Sequence, residues 1–262
     1  MAGHVRESSA VLECAVDAGV AVVRLNRPAA RNALCRELVD DLDRSLAELD
    51  ADEAVGAVVL AGASPGFCAG SDLRELGRMD VREMAHHEAR AGQVARAVAQ
   101  LGTPVVAAVE GFAIGGGFLL ALACDLVVTT AAARWHLPEV QLGWVPPWGI
   151  QALVARGGPT VARRLAWGDE PSTGADLHRL GVVDELAAPD DALDVAVGIA
   201  SRLAAFPPAA VAATKRALAD SASANAETLD ARTNWMFAQN CESGAARHSL
   251  DRFRVQLSEE SP

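Results

Sequence analysis

One stretch decides the fold: residues 105–117, which read VVAAVEGFAIGGG. Five apolar residues open it, as in strands buried on both faces of a sheet, and three consecutive glycines close it. Three glycines destabilise a helix interior, so they fit a place where the backbone approaches another group closely. At a helix start they would leave N–H groups unpaired, with the positive end of the helix dipole behind them. The stretch therefore predicts a strand, a turn and a helix start that can stabilise negative charge, although tight strand–helix packing also explains the glycines.

Short apolar strands alternate with helices on both sides of this stretch. We predict further strands at residues 11–16, 20–25, 57–60 and 126–128, and helices at residues 38–49, 82–101 and 119–123. This alternation is typical of the α/β class, with parallel strands covered on both faces. After residue 188 the pattern is helical only, at residues 193–205, 208–218 and 226–240 and in a last helix that ends near residue 257. We therefore expect a core at residues 1–188 and a helical region at residues 189–262 that covers the core or joins subunits.

The composition is that of a folded, acidic chain. Its 262 residues are 51% hydrophobic and carry a formal net charge of −11. That charge argues against a nucleic-acid or anionic-membrane partner, because no overall positive field would attract one. Residues 105–128 are apolar enough to suggest a membrane span, but Glu110, Asp125 and the glycines divide them better into strand, turn and helix. The first residues lack the apolar segment of a signal peptide, so we expect a cytoplasmic protein.

The cysteines and histidines do not have metal-ligand spacing. The five cysteines are scattered singly, with no C-x-x-C pair, which indicates reduced thiols. His87 and Glu88 begin like the zinc motif H-E-x-x-H, but the second histidine position is Ala91. We therefore interpret residues 86–88 as part of a solvated helix face, and we expect no metal.

A second loop, residues 67–74, reads FCAGSDLR and follows a predicted strand and turn. Backbone N–H groups from two separate loops can converge on one oxygen and form an oxyanion hole. The pattern G-x-G-x-x-G is absent from the glycine stretch, which argues against a dinucleotide site. The two loops therefore favour chemistry in which an oxygen gains negative charge.

Residues 135–148, WHLPEVQLGWVPPW, contain a single carboxylate, Glu139. If Glu139 is buried among these apolar residues, its pKa is raised and it suits proton transfer, whereas an exposed loop glutamate is the alternative. Arg24, Arg27 and Arg31 lie close together in an otherwise acidic chain. They could hold phosphate groups, although by spacing alone surface arginines placed by chance are the better explanation.

Together these motifs resemble the crotonase (enoyl-CoA hydratase/isomerase) superfamily. The resemblance is carried, in order, by residues 25–34 (LNRPAARNAL), 67–73, 111–117, 138–143 and 181–184 (GVVD). It implies a crotonase-like spiral of ββα units with a helical C-terminal trimerisation region. It also implies a homotrimer or a dimer of trimers, and an enzyme of fatty acid metabolism that acts on an acyl-CoA thioester.

The resemblance also assigns candidate roles to residues of this sequence. Backbone N–H groups of Ser71 and Gly116 would hold the thioester oxygen, and Glu139 would transfer the proton. CoA would be bound by Arg27, Ala30, Arg31, Ala69, Asp72, Leu73 and Gly115, and the acyl pocket would be lined by Leu119, Trp144, Pro147 and Trp148. Acyl-CoA is the substrate, and no further cofactor is implied. Because the Ser71 donor is a backbone group, changing Ser71 to alanine is expected to be nearly silent.

One departure from the family pattern bears on the reaction. Hydratases of the family carry two glutamates; the second aligns with Glu139, but the first would fall at Leu119, which cannot transfer a proton. The monofunctional Δ3,Δ2-enoyl-CoA isomerases are similar in having leucine there, so we favour a shift of the double bond from 3-enoyl-CoA to 2-enoyl-CoA. The alternatives within the superfamily are a hydratase (a lyase) of weak or altered activity, and a decarboxylase or synthase of specialised metabolism that acts on CoA or carrier-protein thioesters and uses His248. A non-catalytic CoA-binding or RNA-binding member is the alternative outside catalysis.

Overall fold

A seven-stranded mixed sheet forms the centre of the computed structural model, which describes residues 4–5, 9–223 and 225–259. In spatial order its strands are β1 (His4–Val5), β2 (Leu12–Asp17), β3 (Val20–Leu25), β4 (Ala57–Gly62), β5 (Val105–Val109), β7 (Leu126–Thr130) and β10 (Glu185–Ala187). The β1–β2 and β2–β3 pairs are antiparallel, and all later pairs are parallel. A smaller sheet contains β6 (Phe112–Ile114), β8 (Arg134–His136) and β9 (Ser172–Thr173). The predicted α/β class is confirmed.

Helices connect and cover these strands. They are α1 (Arg36–Asp50), α2 (Leu73–Leu76), α3 (Val81–Gln100), α4 (Gly116–Ala123), α5 (Glu139–Leu142), α6 (Ile150–Trp167), α7 (Gly174–Arg179), α8 (Ala192–Ala204), α9 (Pro208–Ser223), α10 (Ala226–Cys241) and α11 (Gly244–Glu259). A single 3-10 turn, Pro28–Ala30, follows β3. The helical C-terminal pattern is therefore confirmed, whereas α6 and the smaller sheet were not predicted. Strands of two or three residues are too short for alternation to reveal them.

The central strands β4 and β5 are buried on both faces of the main sheet, which explains their nearly continuous apolar sequences. Val58 and Leu60 of β4 belong to the core that includes α1, α3 and α4, while Val59 packs on the other side. There α8 covers the sheet with three fully buried alanines, Ala192, Ala196 and Ala200, spaced four residues apart. The first helix after residue 188 thus packs on the sheet itself, and the boundary between two regions at that residue stays a prediction.

Residues 105–117 form the predicted strand, turn and helix start. β5 is fully buried, β6 follows after a turn at Gly111, and α4 begins at Gly116, inside the glycine triplet rather than at the predicted residue 119. Within the described residues no single helix is long and apolar enough to cross a membrane. A bent pair, Ala192–Ala204 with Pro208–Asp220, reaches the required length and composition only when its two helices are taken together.

The last helices close the region beside the glycine loops. α10 packs along α3, and α11 contacts α2 and α5. Buried apolar side chains of α10 and α11 pack with those of α2, α3 and the neighbouring loops in a small separate core, composed of Leu76, Met79, Met84, Trp144, Phe237, Cys241, Ala246 and Leu250. This core supports one side of the cavity described next.

Candidate active site

The two loops predicted to form an oxyanion hole lie side by side. Cys68 and Ala113 pair in an isolated parallel bridge. Gly70 has a φ of +84°, and a Cβ added there would lie 2.8 Å from the Ile114 carbonyl oxygen and 3.1 Å from the Gly116 nitrogen. Both the backbone conformation and the close approach therefore require glycine at residue 70.

This contact between the loops brings the backbone N–H groups of Ser71 and Gly116 close to each other. Ser71 comes directly after Gly70, and Gly116 is the first residue of α4, where an N–H has no acceptor within the helix. Across the part of the chain that the structure describes, neither N–H has a protein acceptor. Both residues line one cavity. Two unpaired N–H groups on adjacent loops suit an oxygen that gains negative charge.

Asn32 fixes the first of these loops, although the sequence did not single it out. Its side-chain amide donates to the carbonyl oxygens of Ala63 and Gly66 at 2.6 and 2.8 Å. Its side-chain oxygen accepts from the Arg27 N–H at 2.9 Å, and the residue is completely buried. A buried amide with every group paired holds a loop in one conformation. Its place inside the residue 25–34 motif was the signal.

Glu139 is the first residue of α5 and is 7% exposed, so the alternative of an exposed loop glutamate is excluded. Its Oε1 lies 3.0 Å from the position of a Cβ on Gly115, and its Oε2 is buried with no hydrogen-bond partner among the described residues. The pKa of Glu139 is raised to about 8, chiefly by burial; its own backbone N–H opposes this rise, and the charge of Glu88 adds to it. Such a carboxyl group can both accept and return a proton near neutral pH.

These groups share a small cavity of about 60 Å³. The predicted site residues that line it are Ala69, Ser71, Leu73, Gly115, Gly116, Leu119, Glu139, Trp144, Pro147 and Trp148. Apolar side chains of Leu76, Leu142 and Phe237 complete much of the wall. The fold therefore brings the predicted base, the two oxyanion-hole residues and the four predicted acyl-pocket residues to one place.

A larger cavity of about 1270 Å³ adjoins this one. Leu119 and Trp148 belong to the walls of both cavities. The remaining wall of the larger cavity comes mostly from α3, α4, α6, α9 and α10, and it includes neither Ser71 nor Glu139. The predicted base and the two predicted oxyanion-hole residues therefore belong to the smaller cavity.

Four of the predicted CoA-binding residues lie outside the small cavity: Arg27, Ala30, Arg31 and Asp72. Arg27 donates to the Asp72 carboxylate at 2.8 Å, and Asp72 also caps the N-terminus of α2. Arg31 is exposed, and its guanidinium lies 4.4 Å from the centroid of the Phe112 ring. The charge of Arg31 is accessible to a ligand, whereas that of Arg27 is already balanced by Asp72.

The expectation of a solvated helix face at residues 86–88 is wrong for two of the three residues. His86 is exposed, but His87 and Glu88 are only 4% and 3% exposed. The Nε2 of His87 donates to the carbonyl oxygen of Leu34 at 3.1 Å, which joins α3 to the loop before α1. Glu88 lines the small cavity together with Glu139. The site therefore contains a second buried carboxylate that sequence reasoning missed.

Helical spacing was the signal that could have revealed Glu88. Met84, Ala91 and Ala95 are buried on α3, four residues before Glu88 and three and seven residues after it. Positions with this spacing share one helix face, so Glu88 lies on the face that points into the protein.

Neither His248 nor a metal cluster enters the site. His248 is exposed on α11 and does not line the cavity. Within residues 4–5, 9–223 and 225–259, no group of three or more histidine, cysteine, aspartate or glutamate side chains is arranged to hold a metal ion. All five cysteines are buried as thiols.

Comparison with known proteins agrees with this geometry. The family model described as enoyl-CoA hydratase/isomerase matches residues 15–258. A probable enoyl-CoA hydratase of Rhizobium meliloti is 38% identical over 188 residues, 71% of this chain and 72% of the relative. A short-chain-enoyl-CoA hydratase of Clostridium acetobutylicum is 35% identical over 201 residues, 76% and 77% of the two chains.

Solved structures show the same fold. A crystal structure of an enoyl-CoA hydratase/isomerase from Mycobacterium paratuberculosis superposes with a TM-score of 0.86 at 24% identity, and it covers 94% of this chain and 100% of its own. The family match spans nearly the whole chain, including both glycine loops and Glu139. The chain therefore belongs to the enoyl-CoA hydratase/isomerase family, the crotonase superfamily, whose members are acyl-CoA enzymes.

Proposed function

We propose that this enzyme moves the double bond of a 3-enoyl-CoA to give the 2-enoyl-CoA. One observation carries the proposal: a buried carboxyl group with an unpartnered oxygen, Glu139, shares a cavity with two unpaired backbone N–H groups. This combination suits removal of a proton beside a thioester carbonyl, because the negative charge then moves to the carbonyl oxygen.

The proposed reaction uses one base. The ionised carboxylate of Glu139 removes a proton from C2, and the electron pair left behind spreads over a dienolate. The N–H groups of Ser71 and Gly116 donate to the thioester oxygen, which carries most of the new charge. The protonated Glu139 then delivers the proton to C4, which leaves the double bond between C2 and C3 and restores the carboxylate. The proton transfers use no cofactor besides the acyl-CoA substrate.

Leu119 supports isomerisation over hydration. It is 1% exposed and lines the small cavity at the position where family hydratases resemble one another in having a glutamate. A leucine can neither orient a water molecule nor supply its proton, so addition of water loses one of its two usual partners.

Hydration is the second candidate, because a different carboxylate is available. Glu88 reaches the same cavity from α3 and could take the place of the glutamate absent at residue 119. The curated relatives reported above are named as hydratases, which also favours this candidate.

Further parts of the proposal concern binding and assembly. The exposed guanidinium of Arg31 suits the phosphates of CoA; Ala30 lies in the same loop, and Asp72 is joined to that loop by its ion pair with Arg27. Ala69, Leu73 and Gly115 would contact the part of the substrate that enters the cavity. A homotrimer or a dimer of trimers in the cytoplasm is proposed from the family resemblance.

The deciding experiment follows both products in one mixture. The purified protein is incubated with trans-3-hexenoyl-CoA in D₂O, and mass spectrometry records 2-enoyl product, 3-hydroxy product and deuterium. We expect 2-hexenoyl-CoA as the first product. Hydration that is faster than isomerisation, measured separately from trans-2-hexenoyl-CoA, would replace the proposal with the second candidate.

A further inference from the structure

Glu88 is the buried carboxylate that the proposed reaction does not use. It lies in the middle of α3, is 3% exposed and lines the small cavity. Within the described residues it has no ion-pair partner. Both carboxylate oxygens instead accept hydrogen bonds from neutral groups, one on each side of the cavity. A buried charge held in this way calls for an explanation.

The first contact ties Glu88 to one half of the oxyanion hole. The hydroxyl of Ser71 donates to Oε1 of Glu88 at 2.5 Å, across 17 residues of sequence. The backbone N–H of the same serine is one of the two donors to the thioester oxygen. The position of that N–H therefore depends on the side chain of Glu88 as well as on the loop.

The second contact links Glu88 to Gly116, the other half of the oxyanion hole, through the indole ring of Trp148. Nε1 of Trp148 donates to Oε2 of Glu88 at 2.9 Å. The ring packs on the second loop, since its Cζ2 lies 3.0 Å from the position of a Cβ on Gly116. On α3, Gly92 lies one turn beyond Glu88, and a Cβ there would be 2.7 Å from the Cβ of Trp148. Glycine at residue 92 therefore leaves the space on α3 that the side chain of Trp148 occupies.

We propose that Glu88 is a positioning residue that fixes the separation of the Ser71 and Gly116 N–H groups by holding Ser71 directly and Gly116 through Trp148. The inference rests on the proposed isomerase chemistry, in which Glu88 transfers no proton. Displacement of a catalytic group by about 1 Å can cost about 100-fold in rate. We therefore expect the two hydrogen bonds of Glu88, to Ser71 and to Trp148, to have a measurable effect on kcat, and we call this pair of hydrogen bonds the brace.

The charges around Glu88 define what its removal changes. Glu139 shares the cavity, and Cys241 of α10 has a pKa raised to about 12 by burial, with a smaller contribution from the charge of Glu88. The described ion pairs of α3 join Arg90 to Asp40 and Asp43 at 3.0 and 2.7 Å, and Arg96 to Asp230 at 2.5 Å, so both arginines are already paired with carboxylates other than Glu88. Replacing Glu88 by a neutral group therefore removes the negative charge that faces Glu139 and adds none.

The test compares Glu88→Gln with Glu48→Gln. Glu48 is exposed on α1, so the control makes the same chemical change away from the cavity. We expect Glu88→Gln to lower kcat by about 10–100-fold, with little change in KM. We also expect the acid limb of the pH–rate profile to move to lower pH, because Glu139 loses a negative neighbour. Loss of the charge alone accounts for that shift, so the positioning effect is read from kcat above pH 8, where Glu139 is ionised in both enzymes.

A second variant separates loss of the brace from loss of the fold. Ser71→Ala keeps Glu88 and removes one hydrogen bond, and the double variant should be no slower than Glu88→Gln alone, since both changes break the same link. A Glu88→Gln enzyme with the wild-type kcat above pH 8 would overturn the inference. So would multiplicative losses in the double variant.

The outcome is distinguishable from failure of the proposed function. If the wild type hydrates instead of isomerising, the test on the hydration rate uses Trp148→Phe, which removes one hydrogen bond of Glu88 and leaves its carboxylate in place. If the wild type converts neither thioester, the ratio of the Kd for free CoA to the Kd for hexanoyl-CoA reports binding of the carbonyl. We then expect Glu88→Gln to lower that ratio several-fold, and an unchanged ratio would reject the inference.

Discussion

The two buried glutamates of the cavity present opposite environments. Glu139 begins a helix of four residues and leaves one carboxyl oxygen without a partner. Glu88 lies within a helix of twenty residues, and each of its oxygens accepts a hydrogen bond. One side chain is therefore left available to a proton, while the other is held in a fixed orientation. Burial alone does not define the role of a carboxylate; the donors around it do.

The variant with the largest expected effect on kcat is Glu139→Gln, which tests whether Glu139 is the base. The amide keeps the shape of the side chain but cannot accept the C2 proton, so we expect kcat to fall by about 10²–10⁴-fold. CoA thioester binding should persist, because the oxyanion-hole loops are unchanged; calorimetric titration with hexanoyl-CoA measures this. A variant with normal turnover would show that Glu139 is not the base, and the division of roles would have to be reversed.

The loops and Glu139 could be predicted from the sequence because their signals are local. Three adjacent glycines and a single carboxylate among tryptophans and prolines are visible within short windows. Glu88 could not be found in this way, since its partners lie 17 and 60 residues away. The same distance explains why Asn32 was missed, since its amide reaches loop carbonyls 31 and 34 residues further along the chain.

The pH profile tests the environment of Glu139, the glutamate with an unpartnered carboxyl oxygen. The base acts only when ionised, and burial raises the pKa of Glu139 to about 8. We therefore expect kcat/KM to rise about tenfold per pH unit up to about pH 8 and then to level off. Rates between pH 6 and 9, corrected for thioester hydrolysis without enzyme, measure this. A limb near pH 4.3, the ordinary value for glutamate, would mean that Glu139 is solvated in the working enzyme.

Trp148→Phe tests the half of the brace that reaches Gly116. Phenylalanine keeps an aromatic ring in the wall but removes the Nε1 donor and leaves one oxygen of Glu88 unpaired. We expect kcat to fall about tenfold and stability to fall by about 1–3 kcal/mol, the usual cost of an unsatisfied buried acceptor. Trp167→Phe is the matched control, because Trp167 is 63% exposed and outside the cavity. Equal losses in both variants would mean that the indole donor does not matter.

Ser71→Ala has the smallest expected effect on kcat. It distinguishes a role of the Ser71 hydroxyl from a role of the Ser71 backbone N–H alone. If Ser71 acted only through its backbone N–H, the variant would be silent, as the sequence suggested. The structure gives the hydroxyl a second task, since it donates to Glu88. Because the Trp148 donor remains, we expect only a several-fold loss of kcat, about 1 kcal/mol in the barrier. Ser71→Thr, which keeps a hydroxyl, should recover part of the rate. A silent alanine variant would reduce Glu88 to a residue that holds Trp148 alone.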